Sequence, residues 1–198
     1  EAFADAVWEA CTEGPTTRQE FQAAALIAAF ISIGLDWPDS RPMDIRGVLW
    51  ETVNYVASME PRGSWSAEPD VLATTRRAAN LVSCQRSMYF SEFTKAFGHP
   101  STPTQIVPFA LAFTLHVLLG FSPYVARLGG DTASCSALVA ALMGSVLGAS
   151  AFRDAPLDAV EEVNHLDLSA VARELVALRP PAPGDPREQA EYVELEIA

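Results

Sequence analysis

Asp131, Thr132 and Ser134 stand directly behind the pair Gly129-Gly130 and just ahead of the small, apolar run 137–152. A carboxylate and two hydroxyls delivered by a Gly-Gly turn onto the first turn of a helix are built like a ligand site. Glycine tolerates positive φ and lets backbone come close to a ligand, and the first N–H groups of a helix have no partner within it. The same residues also make an ordinary helix cap, in which the Asp or Thr oxygen takes up those N–H groups. Spacing alone favours the cap.

The segments that must carry this turn are helical throughout. Phe3, Ala6, Val7 and Ala10 form one stripe over residues 2–10. Thr17 with Glu20 fits a capping box that opens a helix running to about Leu35. The Trp37 that follows reads as packing under a loop. Asp44 starts a helix whose face is Ile45, Val48, Leu49, Thr52, Val53 and Val56. Ser66-Ala67-Glu68-Pro69 predicts the next helix start, with Val71, Leu72, Thr75, Ala78, Ala79 and Val82 inward. Residues 85–97 add a short amphipathic segment whose Met88, Phe90, Phe93 and Phe97 read as core.

From Thr104 begins a strongly apolar helix with Pro108 in its first turns, where a missing N–H costs little, and with His116 read as a core residue. The helix over 132–152 would span ~30 Å and should be central, with Ala137, Ala140, Ala141, Gly144, Gly148 and Ala149 as a face for close packing. Short helices follow at 157–164 and 168–178, the second capped by Asp167 or Ser169. No segment alternates as a strand does, so the fold class is all-α: a compact multi-helix bundle around a central small-residue helix. One helical domain over 1–179 and a Pro-rich linker with an acidic tail over 180–198 are expected.

The 198 residues are 49% hydrophobic, enough for a sizeable core. Thirteen basic against 25 acidic residues give a net charge of −12, which repels a phosphate backbone, so no nucleic-acid partner is expected. Three widely spaced cysteines form neither a disulfide framework nor a zinc pattern. There is no secretory signal at the start, and a reducing, cytoplasmic setting is the simpler expectation. The apolar runs 106–121 and 135–152 are short, broken by Pro108 and His116 or rich in Ala, Gly and Ser, and read as buried helices with no membrane role. Phosphate-loop, dinucleotide-fingerprint, zincin and hydrolase-elbow motifs are absent.

Gln105-Ile106-Val107-Pro108-Phe109-Ala110-Leu111-Ala112-Phe113, then Leu128-Gly129-Gly130-Asp131-Thr132, then a small-residue helix ending in Gly148-Ala149, resembles the C-terminal half of the ADP-ribosylglycohydrolases. Similarity runs from about residue 2 to 178, and its specific motifs lie at 105–149. Ala10-Cys11-Thr12-Glu13 is similar to a family segment that reads Leu-Thr-His. The resemblance implies an all-α fold and a pair of Mg²⁺ ions that help cleave ADP-ribose from a protein side chain or another acceptor. It assigns Asp131 and Ser134 to the metal and Gly129, Gly130 and Thr132 to the substrate, with ADP-ribose or an ADP-ribosylated protein as partner.

The sequence departs from the family pattern at the metal. Ala133 stands where the second acid of Asp-Thr-Asp-Thr is expected, and Ser134 replaces the following Thr. There is no Thr-Asp-Asp-Thr, no Asn-Gly-x-x-Met-Arg loop, and Glu13 occupies the place of the family His. Three readings follow: a diverged homologue with hydrolysis lost or impaired; the C-terminal part of an active hydrolase completed by an N-terminal segment or second chain; or an unrelated helical interaction module.

Overall fold

The computed structural model describes residues 1–11, 16–37, 44–84, 90–118, 129–152 and 157–178. They hold nine α-helices and, besides these, one isolated bridge between Thr17 and Ser64. The chain divides into two compact units, 1–151 and 152–198. The expected linker and tail at 180–198 lie outside the described residues, as does Met88.

In the first unit, α1 (Ala2–Cys11) precedes α2 (Arg18–Leu35), which opens with the expected capping box. Glu20 N–H donates to the Thr17 hydroxyl at 3.2 Å, and Thr17 N–H donates to the Glu20 carboxylate at 2.8 Å, so two otherwise unpaired helix donors are satisfied. Asp44 caps α3 (Ile45–Ser58), which buries Val48, Leu49, Thr52, Val53 and Val56. The buried Thr52 hydroxyl donates to the Val48 carbonyl at 2.7 Å and so carries no unmet polar group into the core. Helix α4 (Val71–Cys84) buries all six residues of its predicted face. Its start is two residues later than the Pro69 pattern suggests, because Asp70 is the cap: its carboxylate accepts the Ala73 N–H at 2.8 Å. Helix α5 (Phe90–Phe97) is short and held by Phe93, which is fully buried.

The centre of this unit is α6 (Pro103–Leu118), not the small-residue helix. α6 buries twelve of its sixteen residues, from Thr104 to His116, whereas α7 (Thr132–Leu147) buries four, Cys135, Val139, Leu142 and Val146. A helix apolar all round must be enclosed on every side. The predicted packing face of α7 is largely the outward one: Ala137, Ala141, Gly148 and Ala149 are exposed and Ala140 and Gly144 half-buried. α7 is also shorter than expected, about 24 Å, because Gly148 at φ +68° ends it and Ala149–Phe152 forms a 3-10 turn. Pro108 is the sixth residue of α6, beyond the first-turn positions where a missing N–H is free.

His116 is buried, with its ring 4.7 Å from that of Phe93 and 5.7 Å from that of Phe113. Burial holds its pKa below the ordinary 6.5. As pH falls through that value, the unfolded chain takes up the proton while the folded chain resists it, so stability drops with acidification. Urea unfolding should show a lower midpoint at about pH 5.5 than at about pH 7.5, and His116→Leu should shrink the difference.

In the second unit, α8 (Leu157–Asn164) and α9 (Leu168–Ala177) match the predicted helices. Asp167, not Ser169, is the cap of α9 and accepts the Ala170 N–H at 2.7 Å. The Glu161 carboxylate accepts the Leu168 N–H at 2.9 Å and ties the two helices together. Among the described residues no helix is long and apolar enough to cross a membrane.

Candidate functional site

The starts of α2, α4, α6 and α7 are tied to one another. Ser64, ahead of α4, pairs with the start of α2 by accepting the Arg18 N–H at 2.9 Å and donating to the Thr16 carbonyl at 3.1 Å. The Gln19 side chain accepts the Val71 N–H at 2.9 Å, joining α2 to the first residue of α4. Glu68 accepts the hydroxyl of buried Thr104 on α6, and Thr104 in turn lies 3.0 Å from the Thr102 hydroxyl. The loop entering α6 then supports the glycine turn, because the Pro100 carbonyl accepts the Asp131 N–H at 3.0 Å. Helix starts carry partial positive charge, and Glu20, Asp70 and Asp131 sit in or just before the first turns to complement it.

Gly129 and Gly130 have φ of +78° and +76°, the left-handed region. A Cβ on Gly129 would lie 2.7 Å from His99 Nδ1, and one on Gly130 would lie 2.6 Å from the Pro100 carbonyl oxygen. The turn therefore needs glycine for both conformation and space. Thr132 opens α7, and its N–H donates to the Gly130 carbonyl at 3.0 Å.

Asp131 and Ser134 are brought together, and they face each other. Ser134 N–H donates to Asp131 Oδ1 at 3.1 Å, and the Ser134 hydroxyl donates to Oδ2 at 2.7 Å. The Ser134 hydroxyl bond, with help from its N–H, holds the Asp131 carboxyl below the usual carboxylate range. Directly behind the cap is Cys135, 1% exposed, whose thiol burial and the nearby Asp131 charge push to about 11. That thiol stays protonated and inert at neutral pH. The cap thus engages both carboxylate oxygens, one bond to each.

A pair of Mg²⁺ ions requires octahedral oxygen cages built from several carboxylates. Here one carboxylate and one hydroxyl are present, Ala133 is exposed beside them, and among the described residues no three His, Cys, Asp or Glu side chains stand close enough to share an ion. The residues present do not fit the pair. Arg127, Leu128, Thr12 and Glu13 lie outside the described residues.

The sequence pattern did not reveal the His99-Pro100 support for the turn or the Glu68–Thr104 pairing. Two glycines in succession could have signalled a close neighbour, although not which one. Glu68 and Thr104 are 36 residues apart and carry no motif between them.

The described residues of the first unit thus form an all-α body with four tied helix starts, one of them opened by a left-handed Gly-Gly turn and an Asp cap. The model of the ADP-ribosylglycohydrolase family matches residues 2–184, and the chain belongs to that family. No curated protein and no solved structure matches it. Membership removes the reading of an unrelated helical module. The family is generally metal-dependent, which makes the misfit at Asp131 and Ala133 a departure from its own background.

Proposed function

We propose that the chain is a diverged ADP-ribosylglycohydrolase-family protein in which metal-dependent ADP-ribosyl hydrolysis is lost or impaired, a pseudoenzyme that keeps the fold for binding or structural use. The observation that carries this reading is the closed Asp131–Ser134 cap with Ala133 beside it. The ligand in this reading is ADP-ribose or an ADP-ribosylated protein, met in a cytoplasmic setting, with neither nucleic acid nor membrane as partner. Gly129, Gly130 and Thr132 would approach that ligand, and Asp131 and Ser134 would form the remnant of the metal element.

Calorimetry with ADP-ribose, with and without Mg²⁺, tests the reading alongside a release assay on an ADP-ribosylated protein. Binding without turnover supports a reader, no binding leaves a structural role, and Mg²⁺-dependent turnover by this chain would overturn the proposal. A second expected result concerns Ala133→Asp. It returns a carboxylate two residues beyond Asp131, and Mg²⁺ affinity by calorimetry should rise by about a decade, because ligand charge count tunes such sites. Affinity that does not rise even with the N-terminal half present would mean that the metal element is wrongly placed here.

The second reading is a C-terminal part completed by an N-terminal segment or second chain. The exposed small-residue face of α7, with Ala133, Ala137 and Ala141 outward, favours it as a surface able to accept a close-packed neighbour. A Thr-Asp-Asp-Thr element encoded upstream of Glu1 would support this reading, and its absence there would remove completion by an N-terminal segment.

A further inference from the structure

A cavity of about 260 Å³ opens between α1, α2 and α3, lined by Phe3, Ala29, Ser32, Ile33, Glu51 and Tyr55. Ala29 and Ile33, one turn apart on α2, give it an apolar floor. Glu51 and Tyr55, one turn apart on α3, give it a carboxylate and an aromatic ring. Phe3 from α1 adds a second ring, set edge-on to Tyr55 at 5.4 Å and 64°.

This cavity is separate from the glycine turn. Gly34, the residue after Ile33, packs against Ser145 and Val146 near the C-terminal end of α7, whereas Asp131 caps its N-terminal end. The two places are about 20 Å apart along that helix.

The lining discriminates by charge. An anion would meet Glu51 within a protein of net charge −12 and, among the described residues, no basic side chain in the lining. A neutral apolar molecule would cover part of the Glu51 carboxylate and return no bond to it. A cation with an apolar body suits the carboxylate, the rings and the floor together: its charge lies beside Glu51 and the ring of Tyr55 or Phe3, and its body lies on Ala29 and Ile33. We propose that this cavity is a binding site for an organic cation of the substituted-ammonium class, independent of the Asp131 site and of any hydrolytic activity there.

Three probes of matched size test it on the full chain by calorimetry: benzyltrimethylammonium, neutral N-benzylacetamide and anionic 3-phenylpropionate. The cation should bind at least about fivefold more tightly than either other probe, and added salt should weaken it, since an exposed charge pair is screened. Glu51→Gln should weaken the cation about fivefold and leave the amide unchanged, consistent with the strength of an exposed ion pair. Glu51 is exposed, so this change leaves the core intact. Tyr55→Leu keeps apolar volume, removes the ring, and should weaken the cation about threefold. Shifts of the Ala29 and Ile33 methyl signals on titration locate the cation in the cavity. Equal binding of all three probes, no binding of the cation, or an unchanged affinity in Glu51→Gln would overturn the proposal.

Discussion

Phe93→Ala should lower the stability of the protein by about 3–5 kcal/mol, the range for removing a buried aromatic ring. Phe93 is fully buried and is the hub of an aromatic cluster. Its ring lies 5.3 Å from Phe97, 6.3 Å from Phe109, 5.3 Å from Phe113 and 4.7 Å from His116. Three of those contacts are edge-to-face, the geometry that adds about 0.5–1.5 kcal/mol per aromatic pair beyond area burial. The loss would be felt at the glycine turn as well. Helix α5 has eight residues, too few to be stable alone, and it leads through Gly98 into the His99-Pro100 segment that supports Gly129 and Gly130. Guanidinium unfolding should show a lower midpoint at unchanged slope, and near-ultraviolet circular dichroism should weaken before helix content does. Phe93→Leu should recover more than half of the loss, since most of the apolar volume returns. A change below about 1 kcal/mol would mean that the cluster is not a structural centre.

The periodic stripes on α3 and α4 were legible because Val, Leu and Thr at spacings of three and four meet a core on one side only. The helix starts at Thr17, Asp44 and Asp167 were legible because capping is local chemistry. α7 was not, for a reason visible in its residues. Ala and Gly suit a tight interface and an exposed helix face almost equally, so their spacing does not say which way they point. The bulkier residues Cys135, Val139, Leu142 and Val146 carry the orientation, and they face inward. Gly148, counted as one more member of the small face, is the residue that stops the helix, as a left-handed glycine at a C-terminus does.

At the candidate site the motif identified the turn, and spacing alone favoured the cap that the structure contains. What sequence could not supply is the second side of the turn. The Pro100 carbonyl and His99 ring come from a loop about thirty residues earlier. The metal question shows the same division. Ala133 is readable as a departure from the family's acid, whereas the engagement of both Asp131 oxygens by Ser134 needs coordinates. Together they make the turn a structural joint.

Gly130→Ala measures the rigidity of that joint directly and should be far more damaging than Gly129→Ala. Both positions are left-handed, so either alanine carries backbone strain of about 1–2 kcal/mol. Their neighbours differ. On Gly129 the new methyl meets side-chain atoms of His99, at 2.7 Å from Nδ1, so a side-chain shift alone would relieve the contact. On Gly130 it meets the Pro100 carbonyl oxygen at 2.6 Å and the His99 carbonyl carbon at 3.0 Å, both backbone, and that same Pro100 oxygen accepts the Asp131 N–H. Relieving the clash therefore pulls the α7 start away from the loop entering α6. The expected cost is about 3 kcal/mol or more, the upper part of the range for a strained position. Amide exchange in the first turn of α7 should accelerate with it, because the Asp131–Ser134 cap loses its anchor. Gly130→Asn separates the two causes. Asn tolerates positive φ better than Ala but brings the same Cβ, so if Asn restores stability the cost was conformational, and if it does not the Pro100 contact sets it.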